Sequence, residues 1–202
     1  MAWTEKPATA IVALADLPPL LKTESARILA AGYAQLLAAS GGAIPSKASL
    51  DLAPIARMLA DAALLAIESP ERCIYRLVGE NLKSRIGFDP TGLNYYDLVP
   101  EIRRRYAARA MNMVSGRPMG FRADITQVYS SGEALTIESL GMPLASNEPG
   151  IQGFILFADQ AQTRWDRRME EGTRLLGANV VRRDLVDIGF GVDADFRDLV
   201  ET

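Results

Sequence analysis

Alternating and continuous runs of apolar residues predict an antiparallel sheet in the middle of the chain. The run Cys73 to Val78 is rich in β-branched and aromatic residues and stops at a glycine, as strands commonly do. In the runs Phe121 to Tyr129 and Leu135 to Leu140, apolar and polar residues alternate. The run Ile151 to Ala158 is apolar on both faces. Because a strand that is apolar on both faces is central or covered on both sides, we expect the last run inside the sheet.

The turn between the second and third runs fixes their register. A loop that ends at Gly132 in the left-handed conformation pairs Ile125 with Ile137 and Gln127 with Leu135. A slip of one residue would bring polar side chains onto the apolar face. The hydrophobic pattern and the turn geometry therefore predict the same register. The apolar face then carries Phe121, Ala123, Ile125, Tyr129, Leu135 and Ile137.

The N-terminal part predicts an arm followed by a helix. Prolines interrupt the apolar segment 1–21, and we expect it to cross a surface without regular structure. Thr23 or Ser25 is a suitable N-cap for a helix that lasts to about Ser40. The apolar stripe of this helix is Ile28, Leu29, Tyr33, Leu36 and Leu37.

Helical spacing predicts three more helices. The first begins near Asp51 and closes before Pro70, the second covers residues 101–115, and the third covers residues 163–176. Residues 180–202 are expected to form a short tail. The apolar residues that define the helices are Ile55, Leu59, Ala62 and Ala66 in the first, Ile102, Tyr106, Ala110 and Met113 in the second, and Trp165, Met169 and Leu176 in the third.

Several motifs stand out in the sequence: 75–79 (YRLVG), 87–92 (GFDPTG), Asp97 and Leu98, Pro143, and 153–159 (GFILFAD). With these motifs, the order of the elements resembles the PAS sensory fold, in particular the single-domain bacterial PAS proteins. The resemblance implies an α+β fold: an antiparallel sheet of about five strands under a helical cap from about residue 81 to 115. The implied PAS-like domain covers 71–160, between an arm with flanking helices (1–70) and a C-terminal helix and tail (161–202).

The resemblance also implies a function. PAS modules of this kind are regulatory and non-catalytic: they sense a small ligand, mediate protein–protein interaction in bacterial signalling, or both. With no output domain in the sequence, the module is expected to pass its state by contact to a signalling partner. The stripe on the first helix is a candidate homodimer contact, and packing on its own domain is the alternative.

Two interpretations are open for the space between the inner face of the sheet and the cap. One is a pocket for a small ligand; the other, which is favoured because protein interiors usually pack densely, is a filled core with tyrosine hydroxyls reaching the surface. No particular cofactor is indicated. The candidate pocket residues are Tyr75, Leu77, Phe121, Ile125, Gln127, Tyr129 and Ile137.

Histidine is absent from the sequence, and cysteine occurs once. A Ser-His-Asp triad, a histidine metal site and a histidine-ligated haem are therefore excluded. Cys73 lies on a strand-like run and not in the helical motif of light-sensing flavin PAS proteins, so a buried structural thiol is its expected role. A single cysteine also fits a reducing, cytoplasmic compartment.

Composition indicates a folded domain without an electrostatic attraction for polyanions. Hydrophobic residues make up 49%, charged residues 23%, and the net charge is −3, which favours neither nucleic acid nor an anionic membrane. No apolar run approaches the ~20 residues of a membrane span, and the N-terminus lacks the basic start of a signal peptide. The basic cluster of Arg103, Arg104, Arg105 and Arg109 spreads around a helix, so a solvated face is favoured over an anion site.

The predicted register leaves one pair of acids to consider for catalysis. Asp124 faces Glu138 on the more polar face, where two carboxylates could share a proton. We expect instead an exposed pair screened by Arg122 and solvent, since a catalytic pair needs a cleft. The rival function is a small cone-fold enzyme or carrier, which would require an ionisable group inside the pocket. The predicted inner face offers tyrosines and Gln127 but no carboxylate.

Overall fold

The computed structural model describes residues 8–116, 118–163 and 173–192. Seven strands form one sheet in the order β1-β7-β4-β5-β6-β2-β3. Neighbouring strands are antiparallel except β1 and β7, which are parallel. The strands are β1 (Ala8–Ala13), β2 (Ala62–Ser69), β3 (Arg72–Val78), β4 (Met119–Tyr129), β5 (Ala134–Leu144), β6 (Gly153–Ala161) and β7 (Leu175–Asp187).

Helices cover both faces of this sheet. Helix α1 (Glu24–Ala39) packs on one face, which we call the α1 face. Helices α2 (Glu80–Ile86), α3 (Tyr95–Leu98) and α4 (Glu101–Gly116) form a lid over the other face, which we call the lid face. Short 3-10 helices occupy Leu14–Asp16, Pro18–Leu20, Lys47–Ser49 and Ala53–Asp61.

Alternation along the strands divides the core between the two faces. On β6, Phe154 and Leu156 pack with α1, whereas Ile155 and Phe157 pack with the lid. Tyr33 of α1 is buried, and its hydroxyl donates to the backbone oxygen of Pro143 at 2.8 Å. The prediction that the last apolar run is a central strand covered on both sides is confirmed.

The predicted hairpin register is confirmed. Ile125 lies opposite Ile137, and Gln127 lies opposite Leu135. Gly132 has a φ of 88°, which is the left-handed conformation that the turn requires. The first predicted helix is confirmed as well, since the Thr23 side chain accepts from the backbone N–H of Ala26 at the start of α1.

The segment predicted as a second helix divides into a 3-10 helix and a strand. Ala53–Asp61 forms the 3-10 helix, and β2 begins at Ala62. Six consecutive residues of β2, 62–67, are buried between β6 and β3. A run of alanines and leucines that is apolar on both faces has the same pattern in a buried helix and in a buried strand, which is why the prediction was wrong.

The two ends of the described chain also differ from the prediction. The N-terminal segment expected to lack structure forms β1, and residues from Leu175 onward form β7 instead of the end of a helix and a tail. Strand β7 pairs with the edge of β4, and β1 pairs with β7. Within the described chain, the sheet therefore has seven strands and extends beyond the predicted range 71–160. Trp165 and Met169 lie outside the described residues.

Helix α4 crosses the sheet as expected, and the predicted Ala110 packs inward, but the inward side is rotated away from Tyr106. Tyr106, predicted on the inner stripe, is 43% exposed. Met111 and Val114 are buried there, and Ala107 and Ala110 pack beside them. The side chains of Ile102 and Met113 lie outside the described part of the structure.

Candidate functional site

One row of lid-face residues crosses four strands. Arg183 on β7 lies opposite Ala123 on β4, Ala123 opposite Ser139 on β5, and Ser139 opposite Asp159 on β6. Directly opposed residues of neighbouring strands share a face, so these four side chains point toward the lid. The row has small side chains in its middle and charged side chains at its ends, and we call it the lid-face row.

Large apolar side chains lie on both sides of this row. The rings of Phe121 and Phe157 meet edge to face, with their centroids 5.4 Å apart. They meet across Gly141, where an added Cβ would lie 2.8 Å from the Phe121 ring and 3.1 Å from the Phe157 ring. Ile125 and Ile137 pair on the other side of the row. The lid-face row is therefore a polar strip within an apolar surface.

At one end of the row, Asp159 is held by the lid. Arg85 of α2 donates to the carboxylate of Asp159 and, at 2.7 Å, to its backbone oxygen. Burial raises the pKa of the Asp159 carboxyl, and the charge of Arg85 together with a hydrogen bond from Ser139 offsets part of that rise. The Nε of Arg85 is buried and has no hydrogen-bond partner among the residues that the structure describes.

At the other end, Arg183 is half-buried beside a second arginine. Burial lowers the pKa of the Arg183 guanidinium, Tyr95 raises it, and the positive charge of Arg103 lowers it further. Arg103 donates to the side-chain oxygen of Asn179 at 3.1 Å. Within the described ranges, no hydrogen-bond acceptor or carboxylate pairs with Arg183.

Tyrosines complete the surroundings of the row. Tyr75 and Tyr95 meet edge to face at 6.0 Å, and Tyr96 follows at 5.7 Å from Tyr95. Burial raises the pKa of Tyr95 to about 12, and it raises the pKa of Tyr75 well above its ordinary value. Both phenols are therefore protonated at neutral pH and can donate hydrogen bonds.

The structure distributes the predicted pocket residues over several places. Tyr75 and Phe121 are buried on the lid face, Tyr129 and Ile137 are fully buried, and Ile125 and Gln127 are half-buried. The Tyr129 hydroxyl donates to the side-chain oxygen of Gln127 at 2.8 Å.

Leu77 lies apart from the other predicted pocket residues. A bulge in β3 pairs it with Leu64, which belongs to the α1 face, and Leu77 is 38% exposed. Sequence reasoning missed the bulge because no glycine or other irregular feature marks it.

The charged residues of the site were missed for different reasons. The expectation that the inner face has no carboxylate is wrong, because Asp159 lies there. Continuing the alternation of Ile155 and Phe157 by two residues would have placed it on the lid face. Arg183 could not be found in this way, since β7 was predicted as a tail. Arg103 was noticed within the basic cluster, and it is the half-buried member beside the exposed Arg104, Arg105 and Arg109.

A polar cleft of about 440 Å³ lies where α1, α2 and the end of β6 meet. Asp61 accepts hydrogen bonds there from the Ser25 hydroxyl at 3.0 Å and from the Asn81 amide at 2.8 Å. The backbone N–H of Ser25 donates to Gln160 at 3.0 Å. The cleft is lined by Lys22, Thr23, Glu24, Asp61, Asn81, Arg85 and residues 160–163. Arg85 therefore belongs both to this cleft and to the lid side of Asp159.

The acidic pair on the α1 face is buried, which contradicts the expectation of a solvated pair. Arg122, 2% exposed, donates to Glu138 at 2.7 Å, to Asp124 at 2.9 Å and to Asp184 at 3.0 Å. Glu138 also accepts from the backbone and the hydroxyl of Thr23. Helix α1 covers this face of the sheet, so a screened surface pair is not possible. The carboxylates are paired with a cation and do not form an acid/base cleft.

The stripe proposed for a dimer contact is partly buried within the chain itself. Leu29 and Tyr33 belong to the core between α1 and the sheet, whereas Ile28, Leu36 and Leu37 are half-buried. The contact with a second copy stays a prediction.

Cys73 is buried on the lid face, as expected for a structural thiol. Burial raises its pKa to about 12. Among the described residues, no group of three or more histidine, cysteine, aspartate or glutamate side chains is placed to hold a metal ion. Within the same residues, every helix is too short or too polar to cross a membrane.

These observations define an α+β domain in which a helical lid closes over one face of an antiparallel sheet. A protein-family model described as "PAS domain" matches residues 22–156, more than half of the chain. The chain belongs to the PAS domain family, whose members are sensory and signalling modules. Strands β1 and β7 lie outside the matched segment.

Comparison with other proteins adds little to this assignment. Among solved structures, the chain is similar to a fungal LOV domain photoreceptor, with 15% identity over 63% of this chain and 89% of that chain and a TM-score of 0.40. A similarity at this level carries no argument about ligand or activity. No curated protein matches the chain.

Proposed function

We propose that this PAS domain is a non-catalytic regulatory module of bacterial signalling in the cytoplasm, which senses a small ligand between the lid and the sheet. The observation that carries the proposal is the lid-face row, where Ala123 and Ser139 form a small-residue floor between two charged ends. Small-molecule sites commonly combine an apolar surround with a few polar groups in this way. The surround here includes Tyr75, Phe121 and Tyr95.

The same row supports binding over catalysis. Asp159 is the residue that a small enzyme or carrier of the cone-fold type would use as an acid or base, because its carboxyl is half-buried and burial raises its pKa. However, Arg85 pairs with this carboxylate, and the Ser139 hydroxyl donates to it. A carboxylate that is paired on two sides is suited to fixing the lid and the floor more than to moving a proton.

The polar cleft offers a route by which the lid can influence α1. Asp61 binds Ser25 of α1 and Asn81 of α2 at the same time. Arg85 of α2 connects this cleft to Asp159 at the end of the lid-face row. A ligand that shifts α2 would therefore change contacts at the start of α1.

The proposed ligand site can be tested by placing a larger side chain on its small-residue floor. We expect Ala123→Leu to prevent binding, because the added carbons would cover the small-residue floor of the proposed site. Ala134→Leu, at an exposed position of β5, is the matched control. Native mass spectrometry of the purified protein, followed by NMR titration with a mixture of small aromatic compounds, reports binding. Equal binding by both variants would show that the site lies elsewhere.

We also propose that the module acts as a homodimer or on a signalling partner through α1. Support comes from the half-buried Ile28, Leu36 and Leu37, which have apolar surface left to cover. Light scattering should give roughly twice the chain mass, and Leu36→Glu should return it to the monomer. Gln35→Glu, exposed on the same helix, is the control. A wild-type monomer at high concentration would contradict the dimer.

A further inference from the structure

We infer that the site beneath the lid binds a ligand with a carboxylate on an aromatic or apolar body, and that Arg183 and Arg103 hold the carboxylate. This inference rests on the proposed ligand site and adds the chemical class of its ligand. The basis is an arginine that the fold brings under the lid without giving it an anion. Arg183 reaches this position from β7, a strand outside the segment that matches the family model.

The surroundings of Arg183 supply no internal counter-charge. On its own face of the sheet, Asp159 is paired with Arg85 at the far end of the row. Asp187 lies four residues after Arg183 on β7, on the same face, and accepts from the backbone N–H groups of Gly189 and Gly191. Asp184 points to the opposite face, where it pairs with Arg122. Each nearby carboxylate in the described chain is therefore used elsewhere.

A second cation reaches the same strand. Arg103 of α4 donates to Asn179 of β7, the strand that carries Arg183, and its charge acts on Arg183. Two neighbouring guanidinium groups without an anion repel each other, and burying an unpaired charge is unfavourable. Such an arrangement lowers the stability of the empty protein but provides a fork geometry that matches a carboxylate.

The rest of the site selects the body of the ligand. The phenol of Tyr95 is protonated at neutral pH and can donate to the same anion. Phe121, Phe157 and Tyr75 offer aromatic edges and faces beside the small floor residues. An aromatic acid fits these features better than an inorganic anion, which would leave the apolar surfaces without contacts.

The test compares phenylacetate with phenylacetamide, which has the same shape without the charge. In calorimetric titrations we expect wild-type protein to bind the carboxylate at least about tenfold more tightly, as hydrogen bonds to charged groups imply. Arg183→Gln and Arg103→Gln should each remove most of that preference and leave the binding of the amide unchanged. Arg109→Gln, which removes the same charge from the exposed side of α4, should retain the preference for the carboxylate over the amide.

A second measurement separates a binding role from a structural one. If Arg183 is held without a partner, Arg183→Gln should raise the melting temperature of the empty protein by about 2 °C or more, whereas Arg109→Gln should leave it unchanged. A lower melting temperature for Arg183→Gln would show that the arginine stabilises the fold, and it would overturn the inference.

The outcomes also distinguish the two proposals. If both probes bind equally and Arg183→Gln changes neither affinity, the ligand site stands and the carboxylate inference is wrong. If neither probe binds, the carboxylate inference is wrong, and the Ala123→Leu experiment decides whether any ligand site exists. Preference for the carboxylate in wild type but also in Arg183→Gln would place the anion elsewhere and would overturn the assignment to these arginines.

Discussion

At the scale of single residues, two glycines lie where the surrounding packing leaves no room for a Cβ without a shift. At Gly79, between β3 and the lid, an added Cβ would lie 2.2 Å from the Leu59 backbone oxygen and 2.4 Å from that of Ala60. At Gly141 the obstacle is the ring of Phe121. Backbone atoms of a packed segment cannot move aside, whereas a ring can rotate. Gly79 should therefore tolerate an added side chain less well than Gly141.

We therefore expect Gly79→Ala to destabilise the protein far more than Gly141→Ala. The first should lower the free energy of unfolding by about 4 kcal/mol or more, and the second by about 1–3 kcal/mol, as overpacking does. Urea unfolding measures both. Combining Gly141→Ala with Phe121→Leu should recover part of the loss, while equal losses at the two glycines would contradict the distinction.

The thiol of Cys73 gives a prediction about pH. Its pKa rises from 9.0 to about 12 on folding because the side chain is buried. Above pH 9.0 the unfolded chain loses this proton while the folded chain keeps it, so unfolding is favoured as pH rises. The free energy of unfolding of wild type should fall relative to Cys73→Ala by up to ~1.4 kcal/mol per pH unit in this range.

Denaturation curves for the two proteins at several alkaline pH values measure this difference. At neutral pH the same burial should make Cys73 unreactive toward a disulfide reagent until the protein opens. Rapid reaction of the native protein without denaturant would show that β3 and the lid separate readily.

At the scale of elements, the sequence was sufficient where local chemistry decides the structure. The hairpin of β4 and β5 follows from Gly132 and from alternation, and α1 follows from Thr23 and helical spacing. It was insufficient for β2, because six consecutive apolar residues fit two kinds of element. It was also insufficient for β7, whose conformation depends on pairing with β4 far away in the sequence.

The candidate site divides in the same way. Tyr75 and Phe121 were predicted on the lid face, since alternation alone places them there. Asp159 was within reach of the same argument, whereas Arg183 needed the unpredicted strand. The Arg183 end of the site therefore depends on tertiary pairing, whereas Asp159 and the apolar part follow from local pattern.

The hydrogen bonds of Asp61 allow a prediction about how elements are connected. Asp61→Ala leaves the Ser25 hydroxyl and the Asn81 amide without this partner, and we expect a loss of stability of about 1–2 kcal/mol. Amide hydrogen exchange should become faster both in α2 and in the first turn of α1. Asp51→Ala, which removes an exposed hydrogen bond to the Ala53 backbone, should change exchange only locally. Unchanged exchange in α1 would contradict the proposed route from lid to helix.

At the scale of the whole molecule, Arg122 connects four parts of the fold. Its guanidinium binds carboxylates on β4, β5 and β7, and Glu138 among them also binds the backbone at the start of α1. The network therefore attaches β7, and with it β1, to the part of the sheet that α1 covers. Buried ion pairs of this kind contribute little net stability, but removing Arg122 takes away the cation that pairs with Glu138, whereas Asp124 keeps Lys22 and Asp184 keeps Arg182.

Arg122→Met should consequently be among the most damaging substitutions in the protein. It preserves much of the side-chain volume but leaves Glu138, Asp124 and Asp184 without their shared cation. We expect a loss of about 3–5 kcal/mol in the free energy of unfolding, measured by urea denaturation. Arg109→Met on the exposed side of α4 should change it by about 0.5 kcal/mol or less. Since the network joins β7 to the sheet, hydrogen exchange in β7 should accelerate more than in β2, and a uniform change across both strands would contradict this role for Arg122.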